Sequence, residues 1–230
     1  MIPKKIHYLW FGDNPKSDLA KKCINSWQQK LPNYELVEWN ETNTRFDKNL
    51  ENNRFVRECY NRKLWAFVAD FFRCKILYEH GGIYFDTDIE VLKPFDNLLD
   101  KDLFIGYQNS SGSLNASVFA SKAKHAFLKD LINFYNAEIW DVNFFTIPDV
   151  LNYIYYKYKG SDKITIYPKE YFYPYFYDEE FSPDCLTLDT YTIHWWSRDW
   201  GDKKSEAFLK KKHLKSIRKY VNYFFHKVRI

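Results

Sequence analysis

The sequence predicts an α/β domain built on a mixed, mostly parallel central sheet. Three observations carry that prediction. Strand-like apolar runs alternate with helical patterns from Ile6 to Tyr167. The most apolar stretch, 63–79, has the character of a buried helix. The pair Gly81-Gly82 then separates it from a new strand-like run at Ile83. Alternation of strand and helix is the pattern of a parallel sheet covered by helices, and 230 residues suffice for one domain with a sizeable core.

Each element follows in order. Ile6 to Phe11 reads as a buried strand ended by Gly12-Asp13-Asn14-Pro15. Ser17 or Asp18 caps a helix that runs to about Lys30. Pro32-Asn33 makes a turn, and Tyr34 to Trp39 alternates as a second strand. Residues 41–62 are polar and mixed, as expected of short helices. The helix at 63–79 is apolar nearly all round and is expected to be buried, with Gly81-Gly82 ending it because glycine tolerates left-handed geometry. Ile83 to Leu92 is expected as one strand carrying two aspartates. Ala116–Ala120 reads as a strand, Ala123–Asn136 and Pro148–Lys159 as helices, Ile164–Tyr167 as a strand and Tyr171–Tyr177 as aromatic loop or strand.

Composition narrows the function classes. Aromatic content is 20%, which suits a core but also the flat faces of sugars and bases. Cys23, Cys59, Cys74 and Cys185 are widely spaced, without a metal-ligand pattern. That spacing, with no signal-peptide pattern and no run of about 18 apolar residues, predicts a cytoplasmic protein in a reducing compartment. Residues 203–230 hold ten Lys/Arg and one acid, a net of +9, which leaves −5 on residues 1–202. An acidic body argues against a general nucleic-acid binder.

Chemistry concentrates in four places. Asp86-Thr87-Asp88 places two carboxylates roughly 6–7 Å apart on one side of the expected strand. Such carboxylates repel unless a cation lies between them, and oxygen ligands suit Mg²⁺ or Mn²⁺. That ion can bind and neutralise a diphosphate; the plain alternative is a solvated strand end. Asp70 and Arg73 share a face of the buried helix, either as an internal ion pair or as a pair directed into a polar cleft. The segment His194 to Trp200 offers an imidazole ligand and tryptophans that suit a sugar, or else an aromatic plug. Trp10 ends the first strand, where α/β ligands sit, although core packing also explains it.

The segments Ile2–Gly12 and Ala69-Asp70-Phe71-Phe72-Arg73 through Leu77–Asp88 resemble the bacterial sugar transferases of glycosyltransferase family 32, and the core of the glucosylating clostridial toxins. The likeness covers about residues 1–200. It implies a GT-A (Rossmann-like) fold, a nucleoside-diphosphate sugar donor, Mn²⁺ or Mg²⁺, and retention at the anomeric carbon. It further implies that Trp10 stacks on the nucleobase, Asp70 and Arg73 hold the donor sugar, and Tyr84 shapes the pocket. Asp86 would serve the donor and the metal shell, Asp88 would bind the metal directly, and His194 would be a third ligand. Ser197 or Trp200 would close the diphosphate site. Family habit suggests UDP-galactose, UDP-glucose or an N-acetyl form as donor. The acceptor would be a glycan, carried on a polyprenyl diphosphate in capsule or O-antigen synthesis. Thr146-Ile147-Pro148-Asp149 departs from a Gly-Pro pair frequent in the family, in a region associated with the acceptor.

The tail completes the reading as a separate unit, residues 203–230, beside a transferase domain of 1–202. Leu214, Ile217, Val221, Phe224 and Val228 form an apolar stripe with lysines and arginines mostly off it. That is the profile of a basic amphipathic helix on an anionic membrane surface, placing the protein peripherally on the inner face of the cytoplasmic membrane; the alternative is a helix packed on its own domain. Two other functions compete. A phosphohydrolase of the haloacid dehalogenase type also uses paired aspartates, but near a domain start and followed by Gly-Thr, whereas Ile89-Glu90 follows Asp88. A non-catalytic carbohydrate- or membrane-binding relative would not need Asp70 and Arg73 beside the aspartates.

Overall fold

The computed structural model describes residues 1–12, 14–44, 46–197 and 203–214. Its elements are β1 (Lys5–Leu9), α1 (Asp18–Lys30), β2 (Glu35–Trp39), α2 (Phe46–Asn52), α3 (Arg54–Tyr60), α4 (Trp65–His80), β3 (Gly82–Phe85), β4 (Ile89–Val91), β5 (Leu103–Tyr107), β6 (Leu114–Ser121), α5 (Ala126–Asn136), α6 (Ile147–Lys157), β7 (Ile164–Tyr167), α7 (Lys169–Phe172), β8 (Thr192–His194) and α8 (Lys203–Lys211). A six-stranded sheet runs β2-β1-β3-β6-β5-β7, and β4 pairs with β8 in a separate two-stranded sheet. In the large sheet only β6 is reversed, since it is antiparallel to both β3 and β5 while every other pairing is parallel. The mixed, mostly parallel α/β sheet expected from the sequence is the one observed.

Period-two alternation sorts the core into two layers. Tyr84, Phe119 and Ile105 face a cluster with Phe55, Phe71, Phe72, Leu131 and Leu151, so α3 to α6 cover that side. Ile83, Phe85, Val118 and Phe104 face the other side, with Trp27 of α1 and Phe172 of α7. Ser17 caps α1 by accepting from the Ala20 N–H.

The junction between α4 and β3 fixes the site. Gly81 has φ +65°, and its N–H closes the helix on the Leu77 carbonyl. Gly82 has φ +107°, and a Cβ there would lie 2.7 Å from the Lys5 carbonyl oxygen and 2.8 Å from His7 Nε2. His7 occupies that space because Trp39 Nε1–H donates to its Nδ1 at 3.0 Å, which leaves Nε2–H to donate to the Gly81 carbonyl at 2.8 Å. The turn therefore requires glycine for both backbone angle and room.

Three expectations change. The strand at Ile83–Leu92 breaks in two: β3 ends at Phe85, Asp86–Asp88 form a turn closed by Ile89 N–H on the Asp86 carbonyl (3.1 Å), and β4 joins the second sheet. The two aspartates are therefore not same-side residues of one strand. The cause is α1, whose Trp27 indole donates to the Ile89 carbonyl (2.6 Å) and whose Ser26 hydroxyl accepts from the Val91 N–H (2.9 Å), drawing the chain off the large sheet. The strands β5 and β8 are additional to the sequence prediction. Tyr171–Tyr177, expected as aromatic loop or strand, is the end of a short helix followed by loop.

Of the tail, α8 and the turn Lys212–Leu214 are described, and residues 215–230 lie outside the described residues. The described part packs on the body. Leu209 is buried, Phe208 meets Trp140 edge-on, and Lys212 Nζ donates to the carbonyls of Val142 (2.6 Å) and Phe144 (2.8 Å). Among the described residues, no helix is long and apolar enough to cross a membrane.

Candidate functional site

Parallel pairing of β1 with β2 and β3 brings their carboxyl ends to one edge, with the start of reversed β6 beside them. Trp10, just past β1, and Asp86, just past β3, stand on that edge. The Trp10 ring is half-buried, with its indole N–H donating to the Asn14 carbonyl at 2.8 Å and the Lys16 ammonium 5.7 Å from the ring centre.

Arg73 is the hub of the floor beneath this edge. Its guanidinium meets Asp70 at 3.1 Å and Asp86 at 3.1 and 3.2 Å, and donates to the Ala116 carbonyl at 3.0 Å. Tyr84 donates its hydroxyl to Asp86 at 2.8 Å, and its ring lies 4.7 Å from the guanidinium carbon. The two readings of the Asp70–Arg73 pair are thus joined: it is an internal ion pair that also reaches the aspartate turn. A single guanidinium serves two carboxylates. Burial pushes the Asp70 carboxyl up to about 7 against the opposing pull of Arg73, and Asp86 raises it further. Among the described residues, Arg73 Nε is buried with no hydrogen-bond partner.

The second sheet supplies the other half. β8 pairs with β4 so that His194 lies opposite Ile89, and Trp195 N–H donates to the Asp88 carbonyl at 3.0 Å. His194 Nε2 lies 3.3 Å from Asp88 Oδ1, and the Ser197 N–H donates to Asp88 Oδ2 at 2.9 Å. Burial alone would raise the Asp88 carboxyl, but His194 and the hydrogen bonds from Ser197 outweigh it and hold the group below the usual carboxylate range. One ligand atom each from Asp86, Asp88 and His194 lie within 4.8 Å of one another. Two carboxylates and an imidazole suit a divalent ion that accepts oxygen and nitrogen donors. The fit is supported, among the described residues, by His194 Nδ1, buried without a hydrogen-bond partner, and by Asp70 and Asp86 sharing the one Arg73 guanidinium.

Asp70, Arg73, Tyr84, Asp86, Asp88, His194 and Ser197 are thus brought to one place, with Trp10 on the same edge. Trp200 lies outside the described residues. Two contributors carried no sequence signal. Tyr173 packs against His194 (5.7 Å between rings) while its hydroxyl bridges Val118 N–H and the Asn115 carbonyl, and Ala116 offers only a backbone oxygen.

The fold and the edge site define a protein of the GT-A glycosyltransferase fold, an α/β sheet with an Asp-x-Asp turn at its carboxyl edge. Within it, residues 17–105 match the family described as the glycosyltransferase sugar-binding region containing the DXD motif. Inositol phosphoceramide mannosyltransferase 1 of Schizosaccharomyces pombe is 29% identical over 135 residues, covering 57% of this chain and 42% of that protein. Lactosylceramide 4-alpha-galactosyltransferase of Rattus norvegicus is 31% identical over 157 residues, covering 59% and 42%. The chain thus spans less than half the length of these two relatives. Among solved structures, the PaToxG glycosyltransferase superposes with a TM-score of 0.54 at 17% identity, over 68% of this chain and 69% of that one, a likeness of fold.

Proposed function

We propose that the chain is a metal-dependent, retaining glycosyltransferase that moves a hexose from a nucleoside-diphosphate sugar to a lipid-linked glycan. The observation that carries the reading is the convergence of Asp86, Asp88 and His194 above Arg73 and Asp70. Asp88, Asp86 and His194 would hold Mn²⁺ or Mg²⁺, which stabilises the charge that builds on a leaving diphosphate. The chain's own residues do the rest. Arg73 fixes Asp86 and, with Asp70, forms the polar floor against which a donor sugar is oriented. Trp10 offers a ring face for the base at the strand edge, and the Ser197 N–H holds Asp88 in its ionised form. Tyr84 restrains Asp86 from below. Bond cleavage at an oxocarbenium-like centre then needs positioning and charge stabilisation more than a strong nucleophile.

The acceptor class draws support from the relatives, whose names describe transfer to inositol phosphoceramide and to lactosylceramide. Both are sugars or polyols carried on a lipid. UDP-galactose leads as donor, with UDP-glucose, N-acetyl forms and a mannosyl donor as the panel to compare. The test is direct. UDP plus Mn²⁺ is expected to raise the melting temperature by several degrees where neither alone does, and Asp88→Ala is expected to lose donor hydrolysis by at least about 100-fold with its fold retained. Normal hydrolysis by that variant, or a flat melting temperature, sinks the reading.

A further inference from the structure

An aromatic wall stands beside His194, and the metal-ligand set does not use it. The Trp196 ring lies 3.9 Å from the His194 ring, centre to centre; Phe176 lies 5.4 Å and Tyr177 6.1 Å from Trp196, and Phe176 and Tyr177 are 4.3 Å apart. The wall is built rather than collapsed. Trp196 has φ +54°, a left-handed conformation unusual for a tryptophan, and its indole N–H is tied to the Tyr175 carbonyl at 3.2 Å. Backbone strain of this kind persists where surrounding contacts over-determine a position, and it gathers at ligand sites. Phe176 and Glu179 lock the turn reciprocally: Phe176 N–H donates to Glu179 Oε2 at 2.6 Å, and Glu179 N–H to the Phe176 carbonyl at 3.0 Å. Tyr177 is 48% exposed although it is a large aromatic.

We propose that Trp196, Phe176 and Tyr177 form the acceptor subsite and that it takes the terminal ring of a neutral glycan. This rests on the transferase reading above. Hexoses present C–H faces that stack on aromatic rings and hydroxyls that hydrogen-bond to carboxylates. Here the exposed acids Asp178, Glu179 and Glu180 follow Phe176 and Tyr177 directly in the chain. That run of carboxylates accepts hydroxyl protons and repels anions, so it selects against uronic or sialic acid termini. The wall reaches the ligand triad through His194 itself, so a ring stacked there is delivered beside the donor site.

Saturation-transfer NMR on the full chain, with UDP and Mn²⁺ filling the donor site, tests this. The probes are the methyl glycosides of galactose, glucose and mannose, lactose, and methyl glucuronide as the anionic control. At least one neutral sugar is expected to receive saturation, the glucuronide none, and Tyr177→Ala to weaken that binding by about tenfold with an unchanged melting temperature. Phe176→Ala is the second variant, with a circular dichroism spectrum as fold control. Saturation of no neutral sugar, equal saturation of the glucuronide, or binding unaffected in both variants overturns the subsite. None of these outcomes bears on whether UDP and Mn²⁺ stabilise the chain, so the two readings fail separately.

Discussion

At the scale of single residues, the site depends on which groups are held charged and which neutral. Asp88 is kept anionic by His194 and Ser197, while Asp70, deeper and sharing Arg73 with Asp86, is drawn toward neutrality near pH 7. His7 shows the opposite arrangement on a basic group. Burial lowers its pKa to about 4, and the Trp39 N–H already occupies its Nδ1. Between about pH 4 and 6.5 the unfolded chain therefore binds a proton that the native imidazole refuses, so the stability contributed by His7 is complete above 6.5 and lost on acidification. Relative to His7→Gln, which does not titrate, the wild type is expected to lose on the order of 3 kcal/mol between pH 6.5 and 4 in urea denaturation. A difference independent of pH would contradict that account. Asp70 runs the other way over an overlapping window, which is why the comparison is made against the variant.

At the scale of elements, the α4–turn–β3 block is the part that local sequence specifies most fully. Its apolar run, glycine pair and Ile83-Tyr84-Phe85 were all legible, because burial and chain reversal depend on neighbours in sequence. Gly82→Ala is expected to cost at least about 3 kcal/mol in chemical denaturation, since the new methyl meets a backbone carbonyl and His7 at a positive φ. A variant of wild-type stability would show that the turn relaxes freely. What was not legible depends on distant partners. The departure of β4 from the sheet is set by α1 and by β8, about a hundred residues away, so Ile83–Leu92 read as one strand. β5 is short and has Gly106 where its register with β6 shifts, which weakens any strand pattern. The grip of Arg73 on Asp86 joins residues on different elements, and no spacing rule announces it.

At the scale of the whole molecule, the described start of the basic tail packs on the acidic body. Leu209 and Lys212 belong physically to the body, and burial lowers the Lys212 ammonium to about 8 while two carbonyls hold it. The membrane proposal therefore concerns residues 215–230. Deleting only those residues is expected to leave the melting temperature within a few degrees and to lower binding to phosphatidylserine vesicles by at least about tenfold, because each basic residue near such a surface contributes about 1 kcal/mol. Undiminished vesicle binding by the truncated chain would remove the tail from the membrane reading.

The break between β3 and β4 has one more consequence. Asp86 is fastened to the large sheet through its N–H on the Ser117 carbonyl, whereas Asp88 and His194 travel with the small one. An ion held by all three would work as a rivet through two plates. Its affinity and the resistance of the small sheet to peeling away would then be one thermodynamic quantity seen from two sides. Donor loading in such an enzyme would harden the ground on which the acceptor later lands, giving the two substrates a preferred order of arrival without any moving lid.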